Sequence, residues 1–82
     1  MNIRDRVVEI IKKNFFVGKE YNINDSQSFL KSGAISSIGM MTLTTIIEEE
    51  FSIIIEDDEF LPENLDSIDA ISGYLERKGL SN

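Results

Sequence analysis

Cysteine and histidine are both absent from the 82 residues. Without a thiol there is no disulfide, no zinc–thiolate site and no cysteine nucleophile. Without an imidazole the chain lacks the commonest general base and the commonest transition-metal ligand. A triad hydrolase or an ordinary metalloenzyme is therefore not expected. Proline occurs once, at Pro62. Purely apolar runs stop at three residues, as at 53–55, where a bilayer span needs about 20. The start, MNIRDRVVEI, mixes charged and apolar residues at helical spacing and does not read as a secretory signal. A cytoplasmic protein of one small domain, residues 1–82, is the expectation.

Positive charge is also missing over a long stretch. Residues 32–76 contain eleven acids and no Lys or Arg, and all eight basic residues lie outside it. The net charge is -7. Such a surface repels nucleic-acid phosphate and anionic lipid, so neither nucleic acid nor membrane insertion is expected. It attracts a basic protein patch and speeds the encounter, while also keeping a small protein soluble. The acid-dense EDDEFLPENLD lacks the spacing, the central glycine and the final glutamate of a calcium loop. No metal site is expected.

What is present is helical period. Residues 2–15 read as a first helix, with Asn2 as cap, Asp5 three residues on, and Ile3, Val7, Ile10, Ile11 and Asn14 or Phe15 near one face. Residues 17–36 have no period and are rich in Asn, Ser, Asp and Gly, so they read as a long loop. Ile23, Phe29 and Leu30 are its expected pins into the core, and Gly33 offers a turn. A second helix should cover 37–51. The stretch SIIIEDDEFL has strand-like β-branched residues but no partner strand, so it reads as a connection to a short helix at 57–61, ended by Pro62. The last helix should start at Asp66 as cap, with Asp69 at the third position. Ile68, Ile71, Tyr74 and Leu75 should face inward, and Gly79 should close the C-terminus. The sum is an all-α fold, a small four-helix bundle of three main helices and one short one.

The second helix has more apolar residues than one stripe needs. Met40, Leu43, Ile47 and Phe51, spaced by three, four and four, form a core stripe. Ile38 and Met41 project elsewhere, as near neighbours three apart, and Ile46 borders the core side. Either the helix is buried all round, or Ile38 and Met41 form a binding patch. Ser36 and Ser37 stand at its start. A serine there is an expected cap. The same helix end presents free N–H groups and a positive dipole end that suit an anion. A serine at that point is a suitable place to attach a phosphate-linked group. With no base nearby, a separate enzyme must modify it.

The stretch GAISSIGMMTLTTIIEEEFSIIIEDDEFLPENLDSIDAISGYLERKG resembles the acyl carrier and peptidyl carrier proteins. In that family a Gly-x-x-Asp-Ser-Leu motif opens the second helix, and its Ser receives a 4'-phosphopantetheine arm from coenzyme A. The matching residues are Gly33-Ala34-Ile35-Ser36-Ser37-Ile38. The resemblance places the attachment on Ser37. The helix end IIEEEF and the later PENLDSIDAI are also typical. The match covers almost the whole chain, including the first helix and the long loop. It implies a carrier, not an enzyme, that holds acyl or aminoacyl intermediates as thioesters for a fatty-acid, polyketide, nonribosomal-peptide or related pathway. Implied partners are a phosphopantetheinyl transferase and the acyl- or aminoacyl-loading and transfer enzymes, with the carrier as a monomer. Implied partner-binding residues are Ile38, Met41, Thr42, Thr45, Glu48 and Glu49.

Two positions depart from the family pattern. Ser36 stands where the family usually has Asp, keeping capping ability but losing charge. Thr42 stands where many members have an acid. FLKSGAIS is closer to stand-alone carriers of specialised pathways, such as secondary metabolism or D-alanyl transfer, than to the fatty-acid type. The loss of that Asp leaves a second reading open, an unmodified carrier-like protein-interaction module.

Overall fold

Asn2 Oδ1 accepts the backbone N–H of Asp5 at 2.8 Å and opens the first helix, α1 (Ile3–Phe15). The computed structural model describes residues 1–80. Ser81 and Asn82, the end of the expected 1–82 domain, lie outside the described residues. After α1 come α2 (Phe29–Ser32), α3 (Ser37–Phe51), a 3-10 turn (Asp57–Glu59), α4 (Pro62–Leu65) and α5 (Ile68–Arg77). No strand occurs among the described residues, and the fold is all-α as expected. The short elements differ from expectation: among the described residues the three long helices are accompanied by two one-turn helices, α2 and α4, and not one.

The core is apolar throughout, with no buried polar or charged residue among those described. Ile3, Val7 and Ile11 from α1, Leu43 and Ile47 from α3, and Ile68, Ile71 and Leu75 from α5 are almost fully buried. Each contributes about 1.5–3 kcal/mol by leaving water. α5 packs on α1 and α4, and α3 joins through its Met40–Leu43–Ile47–Phe51 stripe. Ile46 is partly buried against the same core. Arg6 of α1 lies 4.2 Å above the Phe51 ring and donates to Glu50 O, which ties α1 to the end of α3.

Three expectations are corrected. Leu30 is not a pin: it is 38% exposed, and the buried residues of the loop are Ile23, Phe29 and Ile35. The turn of α2 points Phe29 inward and its next neighbour outward, a switch that no period in a four-residue helix reveals. The expected 57–61 helix is only a 3-10 turn, and Pro62 starts α4 instead of ending the turn before it. A proline suits the first helical position, because its missing N–H would have no partner there. Finally, α5 is capped by Ser67, whose Oγ accepts from Ala70 N at 3.0 Å. Asp66 closes α4, and its carboxylate is engaged elsewhere, as described below. Gly79, with φ of 96°, ends α5 as expected. Leu80 N donates to Leu75 O and Gly79 N to Glu76 O, the paired bonds of a left-handed helix stop.

Candidate functional site at the start of α3

Two adjacent serines divide the labour at the N-terminus of α3. Ser36 is the cap: its Oγ accepts from Gly39 N at 3.0 Å and its carbonyl accepts from Met40 N at 2.9 Å. Ser37 is the first helical residue and is exposed. Its hydroxyl makes no hydrogen bond to any described residue, and the Ser37 and Ile38 backbone N–H groups have no acceptor among them. One free hydroxyl beside two free amides, at the positive end of a 15-residue helix, suits a phosphodiester.

The local sequence explains this arrangement. Gly33 adopts φ of 77°, which reverses the chain after α2. Ile35 then drops into the core, 2% exposed, and the next two residues emerge at the surface. Gly39 is required by packing. A Cβ there would lie 2.8 Å from Ile35 Cγ2 and 3.3 Å from Ser36 Oγ. The glycine lets the loop carrying Ile35 lie directly against the first turn of α3. Sequence reading missed Gly39; its place three residues after a capping serine was the available signal.

A helix turns about 100° per residue, so positions 38, 42, 45 and 49 share one side, flanked by 41 and 48. The stripe of Met40, Leu43, Ile47 and Phe51 lies opposite and is buried. Ile38 is 78% exposed and Met41 63%. Of the two readings of the extra apolar residues, burial all round is thus excluded. Thr42, Thr45 and Glu49 are exposed on the same face. Thr45 Oγ1 donates to Met41 O at 3.3 Å. Glu48 differs: it is half-buried, and its Oε2 accepts from Ile55 N at 2.8 Å. It holds the segment after α3 in place.

Met40, from the opposite stripe, lines a small cleft of about 60 Å³ together with Leu30, Phe60, Leu61, Leu65 and Asp66. Its outer wall is fastened by Glu59. That carboxylate accepts from Glu56 N at 3.0 Å, Tyr74 Oη at 3.0 Å and Lys78 Nζ at 3.1 Å. The Glu56 amide foremost, then Lys78, holds Glu59 below the usual glutamate range. Burial foremost, then Glu59, pushes the Tyr74 phenol up to about 12. In the loop after α1, Asp25 is gripped at both oxygens by Arg4 at 2.8 and 2.7 Å, and that bond holds the Asp25 carboxyl below its ordinary value.

A small all-helical domain that presents a free serine at a helix start, beside an exposed apolar and acidic helix face, has the features of a carrier domain. The phosphopantetheine attachment site (PP-binding) family model matches residues 5–75, and the chain belongs to that family. Comparison with curated proteins and with solved structures gives no significant match. The cofactor of this family is 4'-phosphopantetheine, attached covalently, and the role of the domain is to carry it.

Proposed function

We infer that the chain is a single carrier domain, residues 1–82, modified on Ser37 Oγ, and that it presents acyl or aminoacyl cargo to the enzymes of a fatty-acid, polyketide, nonribosomal-peptide or related pathway. The observation that carries this reading is the exposed, unbonded Ser37 hydroxyl on the first turn of α3 in a chain of the phosphopantetheine-attachment family. In the modification, Ser37 Oγ forms a bond to the coenzyme A phosphorus that bears the pantetheine arm. The pyrophosphate P–O bond breaks, and 3',5'-ADP leaves with its electron pair. The serine proton goes to a base on the phosphopantetheinyl transferase, since no described residue of this chain bonds that hydroxyl. When bound, 4'-phosphopantetheine supplies a terminal thiol for thioester linkage.

The chain's own contribution is tethering and recognition, without catalysis. A covalent arm raises the local concentration of cargo without any new contact. Ile38 and Met41 offer an apolar centre for a visiting enzyme, and Thr42, Thr45 and Glu49 surround it, with Glu48 at the edge. The acids favour visitors with a basic patch. A monomer in the cytoplasm is part of the same reading; no helix among the described residues is long and apolar enough to cross a membrane.

The test is intact mass after incubation with coenzyme A and a broad-specificity phosphopantetheinyl transferase. One added phosphopantetheine unit in the wild type, absent in Ser37→Ala, is the expected result. No gain with any transferase, including one from the host, would leave the unmodified interaction module as the better reading.

A further inference from the structure

The single-turn helix α2 has all three of its first amides satisfied, and one distant residue is behind each bond. Asp66 O accepts from Phe29 N at 2.9 Å, and Asp66 Oδ1 accepts from Leu30 N at 2.9 Å. Lys31 N donates to Ser28 Oγ at 3.0 Å, and that hydroxyl in turn donates to Asp66 Oδ2. Both carboxylate oxygens and the main-chain carbonyl of Asp66 are thus committed to one turn of helix, 36 positions away for Leu30. A four-residue helix does not hold itself together, because one turn orders several residues for very few internal bonds. Asp66 supplies what α2 lacks.

From α2 the bonding continues to the attachment serine. Phe29, with no exposed surface, is the anchor. Its carbonyl accepts from Ile35 N at 3.2 Å across the Gly33 turn, and also from Ser32 Oγ at 3.3 Å. Ser32 Oγ accepts from Ala34 N at 3.3 Å. Ile35 is followed at once by the Ser36 cap and by Ser37. The path from Asp66 to the surface hydroxyl therefore runs through α2, the Phe29 carbonyl and the Ile35 amide, with no unbonded gap longer than a residue or two.

We propose that Asp66 is a positioning residue for the modification of Ser37: by clamping the N-terminus of α2 it presents the 33–37 segment in one conformation to the transferase. This rests on the reading of Ser37 as the attachment point. Loss of the clamp leaves the transferase to order the segment when it binds. The KM for this chain rises and kcat is little changed.

The experiment measures steady-state phosphopantetheinylation of the full chain with coenzyme A and a broad-specificity transferase, for wild type, Asp66→Ala, Asp66→Asn, Ser28→Ala and the double variant Ser28→Ala/Asp66→Ala. Asp66→Ala removes two hydrogen bonds to the carboxylate and raises KM at least about tenfold, with kcat within about twofold. Asp66→Asn falls between, since its amide oxygen still accepts from Leu30 N. The double variant falls short of the sum of the two single effects, because both changes remove the Ser28–Asp66 bond, while Ser28→Ala alone also frees Lys31 N. Amide exchange at Leu30 and Ile35 speeds up in Asp66→Ala while Leu43 and Ile71 stay protected. Arg6→Ala, which removes a bond to Glu50 O at the opposite end of α3 from Ser37, serves as the stability control. An unchanged KM in Asp66→Ala overturns the proposal. So does an equal rise in KM in Arg6→Ala, which would trace the effect to general loosening. If Asp66→Ala does not fold, Asp66→Asn and Ser28→Ala decide by the same criterion. No mass gain in the wild type overturns the carrier reading and this proposal together. A normal gain with unaltered KM in the variants overturns this proposal alone.

Discussion

Ser36 Oγ accepts the Gly39 backbone N–H at 3.0 Å, and this bond leaves the neighbouring Ser37 hydroxyl free. The two serines should therefore respond differently to substitution. Ser36→Ala loses the cap and about 1 kcal/mol of stability in chemical denaturation, while Ser37→Ala stays within about 0.5 kcal/mol of wild type. Only Ser37→Ala abolishes the mass gain. Ser36→Asp restores the residue usual in the family. It keeps the cap, adds charge at the positive helix end worth about 0.3–1 kcal/mol, and should speed modification in a time course.

Gly39→Ala improves helix propensity by about 1 kcal/mol yet is expected to destabilise. The new methyl would meet Ile35 Cγ2 at 2.8 Å, and Ile35 is buried and β-branched, so it has little room to retreat. Overpacking of this kind costs about 1–3 kcal/mol. A lower midpoint in thermal or urea unfolding checks the sign; a higher one would show that the 33–37 segment yields easily.

On the outer face of α3, stability and recognition should separate. Met41→Glu replaces a side chain that is 63% exposed, and thermal stability should stay within about 0.5 kcal/mol while transfer by partner enzymes weakens. Glu48→Ala and Glu49→Ala form a matched pair. Glu48 accepts from Ile55 N, and truncation to Glu48→Ala, which leaves that amide without its partner, costs about 1–3 kcal/mol. Glu49→Ala should cost almost nothing in the same measurement.

Glu59 makes stability depend on acid. Its folded pKa lies below the ordinary 4.5, so the stabilisation is complete above that value and is lost as pH falls through the lower folded one. Tyr74 has the opposite sign. Raised from 10.0 to about 12, it stabilises fully below 10.0 and loses that contribution as pH rises through about 12. Glu59→Gln should flatten the acid limb of a stability–pH profile, and Tyr74→Phe the alkaline limb. Unaltered limbs would mean that these bonds do not persist in solution.

The long helices were legible because their residues repeat a signal. Asn2 with Asp5, and the Met40–Leu43–Ile47–Phe51 stripe, mark α1 and α3 to within a residue of their observed bounds. The surplus of apolar residues beyond one stripe left Ile38 and Met41 either buried or on a patch, and only the structure, which exposes both, decides. The single-turn elements were not legible, since four residues hold barely one period. Pro62 stops a helix or starts one equally well, and Leu61 before it gives no cap signal. Asp66 and Ser67 are both good caps, and only the pull of Ser28 and Leu30 on the Asp66 carboxylate decides between them. That contact joins residues far apart in sequence, and one sequence read by itself gives no sign of it.

Because the Ser37 hydroxyl bonds to no described residue, a group attached there would break no contact that holds the bundle together. The capping work falls to Ser36, so the chain can give up one serine to chemistry and keep its helix start.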